Sequence, residues 1–537
     1  GIYEPDLGET DPTLADSDND GTPDNEESVA KICQPDQITT IDLHDNEDGD
    51  WTLAVLPDFI YTAVDLQPTG GERLYAAAFE DTANGIAGFI LSRTPSSTVL
   101  TELVSADNST LLDLATNGVL NHRGRIYSTP DEYEAMTSHY TLEVASQTVG
   151  SLRNQVLSKL SGKAVATIID LPAGPAETST NFEAVFETLK RDENDNNLIV
   201  MFAFITKARY ENTSSNTARN RLIDLTDGTA IRKALKRTTN SCDPFIGTKS
   251  AVVDFIWVVD ASGSMDEDQQ AVADAASMFT NVMDGAGVDY RVAVTSMDCQ
   301  NGELGAHKFT TDAAGFQADV LNPPCSYSEY GSRAGLAAVS SAFNSSLPAN
   351  EKFRRNAEIM VIFLSDEEDQ EFKDCEPLWP WDPPNTQCEM DMLDRYKTYF
   401  TNTLVTCFAI TGDLPSGCGA ATGSAGEGAH EAGAVYIELA YHTGGSFGSI
   451  CAPDHAPTIE EILRAAAGTA SLYDPMYRPV TSTLQVVVEG NLINRSSTNG
   501  FEYDVVSNKL VFYGSARPSE GNDVVISYRY FLDDAKP

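Results

Sequence analysis

Apolar and polar positions along this chain fall into blocks whose period changes several times. The clearest block is AVVDFIWVVD at 251–260, a near-continuous apolar run. A central parallel strand reads this way when both of its faces are covered. DEDQQAVADAASMFTNVM comes next with helical spacing, then DYRVAVTSM as a strand and GLAAVSSAF as a short helix. AEIMVIFLSDEED and LVTCFAI read as further buried strands, and AVYIELAYHTGGSF as a fifth strand with its turn. TIEEILRAAAGTA closes the series as a helix. Strand alternating with helix predicts a doubly wound, Rossmann-like α/β domain over 244–473. Such sheets bind ligands at the carboxyl ends of their strands.

The flanking blocks have other periods. Over 35–243, WTLAVL, RLYAAAF, GIAGFIL, AVATIIDL and LIVMFAFIT read as strands, while SQTVGSLRNQVLSKLSG and NFEAVFETLKRD carry helical spacing. This predicts a second α/β (α+β) domain, and no motif in it discloses a role. From 474 to 537, STLQVVVEG, FEYDVV, KLVFYG and DVVISYRYF are short strands separated by turn residues, a small β-sheet or sandwich domain docked on the earlier block. Residues 1–34 are acidic, rich in Asp and Glu, and form a fourth segment.

Composition narrows the function. The 537 residues are 41% hydrophobic and 21% charged, an ordinary balance for a folded protein. With 80 Asp and Glu against 35 Lys and Arg, the formal net charge is −45. Such a surface repels phosphate backbones and excludes nucleic acid as a partner. No run of about 20 apolar residues appears, so no membrane span is expected. The opening GIYEPDLGET is neither basic nor apolar, so no signal peptide is visible, and the chain reads as starting inside a longer precursor.

Eight of the nine cysteines pair by their placement. Cys299 and Cys325 bracket one loop, Cys375 and Cys388 a second, and Cys418 and Cys451 a third. Cys33 and Cys242 flank the 35–243 block, and Cys407 lies inside an apolar strand as the odd thiol. Four bridges and one buried thiol imply an oxidising, extracytoplasmic setting, secreted or on a cell surface.

Two stretches carry metal chemistry. DSDNDGTPDNEE at 16–27 puts Asp16, Asp18 and Asp20 at positions 1, 3 and 5 of a twelve-residue calcium loop. Gly21 allows the sharp turn, Thr22 offers its carbonyl, and Asp24 and Glu27 complete the oxygen set for Ca²⁺. Pro12 and Pro23 forbid a regular incoming helix. With GETDP upstream, the segment resembles the thrombospondin type 3 calcium repeats of bacterial surface proteins.

The second stretch is DASGSMDED at 260–268, where Asp260, Ser262 and Ser264 stand two apart at the end of the apolar strand. Asp366, at the end of another buried strand, adds a second carboxylate. Two carboxylates with several hydroxyls suit a hard cation that keeps some of its water, Mg²⁺ first, with Mn²⁺ or Ca²⁺ as alternatives. DASGSMD with FLSDEED and YHTGGSF resembles the von Willebrand factor A domain, the integrin I-domain fold, with its metal-ion-dependent adhesion site. That resemblance implies a fifth ligand, a Thr, ahead of the helix containing GLAAV. CSYSEYGSRAGLAAV has no Thr, so Ser332 or Ser328 is expected to substitute. The additional acids, 266–268 and 367–369, either raise the local negative potential or form solvated helix starts.

The resemblance implies a protein or cell-surface ligand that presents a carboxylate to the ion. The β extension after the A-like domain resembles that of bacterial surface adhesins, including gliding-motility adhesins of myxobacteria. Self-association as a fibre or stalk subunit is the rival reading. An accessory subunit of a metal-chelatase or ATPase complex fits less well, because the cysteines and calcium loop point outside the cytoplasm. No enzyme is expected: SGS is not a G-x-S-x-G elbow, and HEAGA at 430–434 lacks the second His of a zinc protease.

Overall fold

The computed structural model describes residues 38–46, 49–97, 99–128, 134–190, 196–212, 215–232, 236–247, 251–325, 329–375, 386–414, 417–418, 431–452 and 454–532. The calcium loop at 16–27, Cys33 and Ser328 lie outside the described residues. The architecture is mixed α/β, and the chain divides into two compact units. One comprises 1–110, 128–249 and 471–537; the other comprises 111–127 and 250–470.

The second unit holds strands β1 (Arg123–Ser128), β2 (Val252–Val259), β3 (Asp289–Ser296), β4 (Glu358–Leu364), β5 (Val405–Thr411) and β6 (Phe447–Ser449). Their order is β3-β2-β4-β5-β6-β1, parallel throughout except that β1 runs antiparallel to β6. The central strand β2 pairs on both sides, and Val253 to Val259 are all buried. Trp257 lies level with Ile362, so Phe363 points to the opposite face. Trp257 packs with Phe279 and Phe316 on one face, and Phe363 stacks on Tyr436 and meets Phe400 on the other. The helices are α1 (Asp266–Asp274), α2 (Ala313–Leu321), α3 (Gly331–Ala342), α4 (Gln370–Lys373), α5 (Thr386–Asn402), α6 (Ala434–His442) and α7 (Ala456–Ala470).

One expectation fails here. AVYIELAYH is helix α6, and the strand after it is only Phe447–Ser449. Val435, Tyr436, Ile437, Leu439, Ala440 and Tyr441 are all buried. A helix covered nearly all round shows no amphipathic period, so its sequence looks like a buried strand. A second surprise is residues 111–127, which the sequence places in the 35–243 block. Their strand β1 extends the edge of this sheet, with Ser449 N–H donating to the His122 carbonyl at 2.9 Å.

In the first unit, six antiparallel strands run in the order Glu134–Thr148, Thr178–Lys190, Leu198–Thr206, Ile86–Arg93, Leu74–Asp81 and Ile60–Val64. NFEAVFETLKRD, expected as a helix, lies mostly in the second of these strands. It pairs along both edges, with Glu134–Thr148 and with Leu198–Thr206. Its apolar residues satisfy either period, and the two neighbours decide. AVATIIDL, expected as a strand, forms a single short turn at Val165–Thr167, with Val165 and Ile169 exposed. The last strand, Asp523–Phe531, pairs over its full length with Thr238–Ile246. In the C-terminal β segment, this last strand thus shares a sheet with Thr238–Ile246, while Phe501–Asp504 and Lys509–Phe512 pair as a two-stranded sheet of their own.

Three disulfides close in the second unit: Cys299–Cys325, Cys375–Cys388 and Cys418–Cys451. Cys242 is disulfide-bonded, and Cys407 is a buried free thiol. Among the described residues no helix is long and apolar enough to cross a membrane.

Candidate metal centre

The site is assembled by the parallel pairing of β2 with β4. Val259 lies opposite Leu364, and Asp260 N–H donates to the Leu364 carbonyl at 2.9 Å. The two strands thus end side by side, bringing Asp260 next to Asp366. Asp260 is fully buried and Asp366 is 4% exposed. Asp260 Oδ1 accepts from Ser262 N–H at 2.8 Å, the local turn that lets the chain leave the strand. Asp260 Oδ2 accepts from Ser365 Oγ at 2.7 Å. Ser262 Oγ and Ser264 Oγ lie 3.0 Å apart, both half-buried at the rim. Gln269 Nε2, from α1, donates to the Asp260 carbonyl at 2.6 Å and ties the helix to the strand end.

Burial pushes the Asp260 carboxyl above its ordinary range. The Ser262 and Ser365 hydrogen bonds pull the other way, and the charge of Asp366 pushes it further up. Two buried carboxylates of like charge held side by side cost free energy unless a proton or cation joins them.

The acidic run 366–369 divides its work by residue. Glu368 accepts from the N–H groups of Ala434 and Val435 at 2.7 and 3.2 Å, capping α6. Burial raises its carboxyl to about 7 against three backbone hydrogen bonds. Asp369 accepts from Ser332 N–H at 2.8 Å and Glu371 N–H at 2.9 Å, so it tethers α3 and caps α4. Neither is a solvated helix start. Glu367 stays at the rim, with Lys373 Nζ 3.4 Å away. In the other run, Asp266 and Glu267 are exposed, whereas Asp268 is buried and pairs with His455 Nε2 at 2.9 Å. Gly331 lets α3 start against α6, since a Cβ there would meet the Tyr436 hydroxyl at 2.5 Å.

Of the expected ligands, Asp260, Ser262, Ser264 and Asp366 share this strand edge. Ser332 sits in the first turn of α3, fully buried beside the Asp369 carboxylate. The donors are carboxylate and hydroxyl oxygens without sulfur or ring nitrogen, a set that fits a hard divalent cation. Among the described residues, the one group of three or more His, Cys, Asp or Glu close enough to share an ion is Cys299, Glu303 and Cys325, and its sulfurs are joined to each other.

Sequence reading missed three participants. Ser365 and Gln269 orient Asp260, and the residue before the strand-end Asp was the available signal for the first. Glu329 is the third. Its carboxyl is raised to about 7 by burial and by the charges of Asp260 and Glu367.

No protein-family model and no curated protein matches the chain. Among solved structures, it is similar to the pilus adhesin SpaC from Lactobacillus rhamnosus GG in its open conformation, at 12% identity and a TM-score of 0.31. That match covers 56% of this chain and 41% of the adhesin. A second similarity is to the vWF domain of the type V pili tip protein Mfa5 from Porphyromonas gingivalis, at 12% identity and a TM-score of 0.28, covering 42% of this chain and 99% of that domain. A third is to proximal thread matrix protein 1 from the mussel byssus, at 12% identity and a TM-score of 0.25, covering 45% of this chain and 50% of that protein. The chemistry open to the strand edge is set by its own geometry, independently of these likenesses.

Proposed function

We propose that this chain is an extracytoplasmic binding protein whose strand-edge site holds a divalent cation and captures a carboxylate of a partner protein or cell-surface ligand. The observation that supports it is the pair of buried carboxylates, Asp260 and Asp366, set side by side where two paired parallel strands end. Asp260 and Asp366 would hold the ion from below, with the Ser262 and Ser264 hydroxyls at the rim and Ser332 as a further candidate. A bound Mg²⁺ or Mn²⁺ supplies a charged, directional contact for an incoming oxygen anion. Ser365 and Gln269 keep Asp260 oriented, and Asp369 and Glu368 fix the helices around the site. The disulfides support a setting outside the cytoplasm. The oxygen spacing at 16–27 supports a separate Ca²⁺ loop.

Calorimetric titration of the full chain with Mg²⁺ and Mn²⁺ tests this, with Asp260→Asn beside it. The wild type should bind and the variant should not; equal binding by both refutes the reading. Sedimentation in Mg²⁺ and in chelator separates the two roles: growth only with metal marks a fibre subunit, and a metal-independent monomer an adhesin.

A further inference from the structure

The three disulfides of the second unit all join segments that follow the carboxyl ends of its strands, the edge that carries Asp260 and Asp366, while Cys407, inside β5, is a free thiol. Two of them fasten the loops on which expected ligands ride. Cys299 follows the end of β3, where Met297 N–H donates at 3.0 Å to the carbonyl of Val259, the residue before Asp260. Its partner Cys325, at a sequence separation of 26, precedes α3 and Ser332. Between β3 and α2 the chain forms only turns and the single bridge of Thr310 to Val292. Cys375 follows α4, the short helix that Asp369 caps, and is bonded to Cys388 in the first turn of α5 across a separation of 13. A helix of four residues does not stand alone. α5 is the firmer body, with Phe400 packed against Phe363 of β4. Cys299 and Cys375 are both buried. The opposite edge of the sheet is tied by ions instead: fully buried Asp254 pairs with Arg291 at 2.8 Å and with Arg354 at 2.9 Å. A disulfide fastens a loop without adding positive charge near the site carboxylates, where Lys373 already bridges Glu367 and Glu431 at the rim.

We propose that Cys299–Cys325 and Cys375–Cys388 are positioning links of the cation site, holding the Ser332 and Asp366 loops in the arrangement the ion needs before it arrives. The proposal rests on the strand edge being a cation site. Ligand loops that are free to move must be ordered when the ion binds, and the lost freedom is subtracted from its affinity. A cross-link removes that freedom in advance. If cutting a link leaves the site assembled for about a tenth of the time, the apparent affinity falls about tenfold. Cys418–Cys451 is the built-in comparison. It joins the loop after β5 to the end of β6, and neither segment carries an expected ligand.

The test is Mn²⁺ binding by the full chain, measured by calorimetry and by the electron paramagnetic resonance signal of free Mn²⁺. Wild type and Asp260→Asn are compared with three double variants, Cys299→Ser with Cys325→Ser, Cys375→Ser with Cys388→Ser, and Cys418→Ser with Cys451→Ser. Each is titrated well below its own melting temperature in chelator, so that a loss of stability alone does not register. The first two double variants should bind Mn²⁺ on the order of tenfold more weakly, the cost of losing a group that orients metal ligands. The third should stay within about twofold of wild type. Should a double variant fail to fold, wild type reduced with a phosphine, alkylated and freed of reagents is titrated in its place and should show the same loss. If either of the first two variants, or the reduced protein, binds as wild type while Asp260→Asn does not bind, the cation site stands and the positioning role is overturned. An equal loss in all three double variants overturns it too, as a general loosening of the edge. A wild type that binds no Mn²⁺, or an Asp260→Asn that binds normally, refutes the cation site itself.

Discussion

Replacing Asp260 by Asn should act in opposite directions with and without metal. In chelator at neutral pH, the wild type carries a fully buried carboxylate beside Asp366, and burial is the larger of the two effects that raise its pKa. An acid raised in the folded state destabilises the fold as pH rises above its unfolded value, so removing the charge should restore stability. Asn keeps most of the local bonding. Its Oδ1 can still accept from Ser262 N–H, and its amide can donate to Ser365 Oγ in place of the bond now running the other way. With saturating metal the order should reverse. A cation at about 100 times its dissociation constant adds about 2.7 kcal/mol to the wild type. For a unit of this size each kcal/mol moves the melting temperature by about 2–4 °C, so Mg²⁺ or Mn²⁺ should raise it by roughly 5–10 °C. The variant should show no rise, and its melting temperature in chelator should equal or exceed that of the wild type. Scanning calorimetry with and without metal reads both quantities. A variant that keeps the metal-dependent rise, or that melts well below wild type in chelator, refutes the reasoning.

Other buried groups and the cysteines give four more expected outcomes. Asp413 is buried with Oδ1 unpartnered, and desolvation moves its carboxyl from 3.8 to about 7 against one Ser449 hydrogen bond. Its cost is absent near pH 4, grows between pH 4 and 7 and is complete above, so Asp413→Asn should stabilise by up to about 4 kcal/mol at pH 8 and by little at pH 4, read by urea unfolding. Glu368→Ala uncaps the two N–H groups at the start of α6 and should cost about 1–3 kcal/mol, by the same unfolding assay. Mass spectrometry with and without reduction should count four bridges. Cys407, buried with its thiol pushed far up by desolvation, should resist alkylation until the chain unfolds.

The sequence by itself determined the central strand, the oxygen donors at its end and the second carboxylate. A run such as FIWVVD has one stable environment, a doubly covered strand, and the carboxyl end of such a strand lies where loops converge. It also determined the local spacing of Asp260, Ser262 and Ser264, which belongs to a single turn. Tertiary structure decided what depends on neighbours. NFEAVFETLKRD is a strand because strands flank it on both sides, and AVYIELAYH is a helix because its surroundings bury it all round. The division of the acids at 366–369 between the site, its rim and two helix caps comes from where α3, α4 and α6 begin. The place of Glu329 is set by Gln370, 41 residues away in the chain. Local periodicity is written in adjacent residues, but a carboxylate's role is set by which distant groups share its burial, and only the fold brings those together.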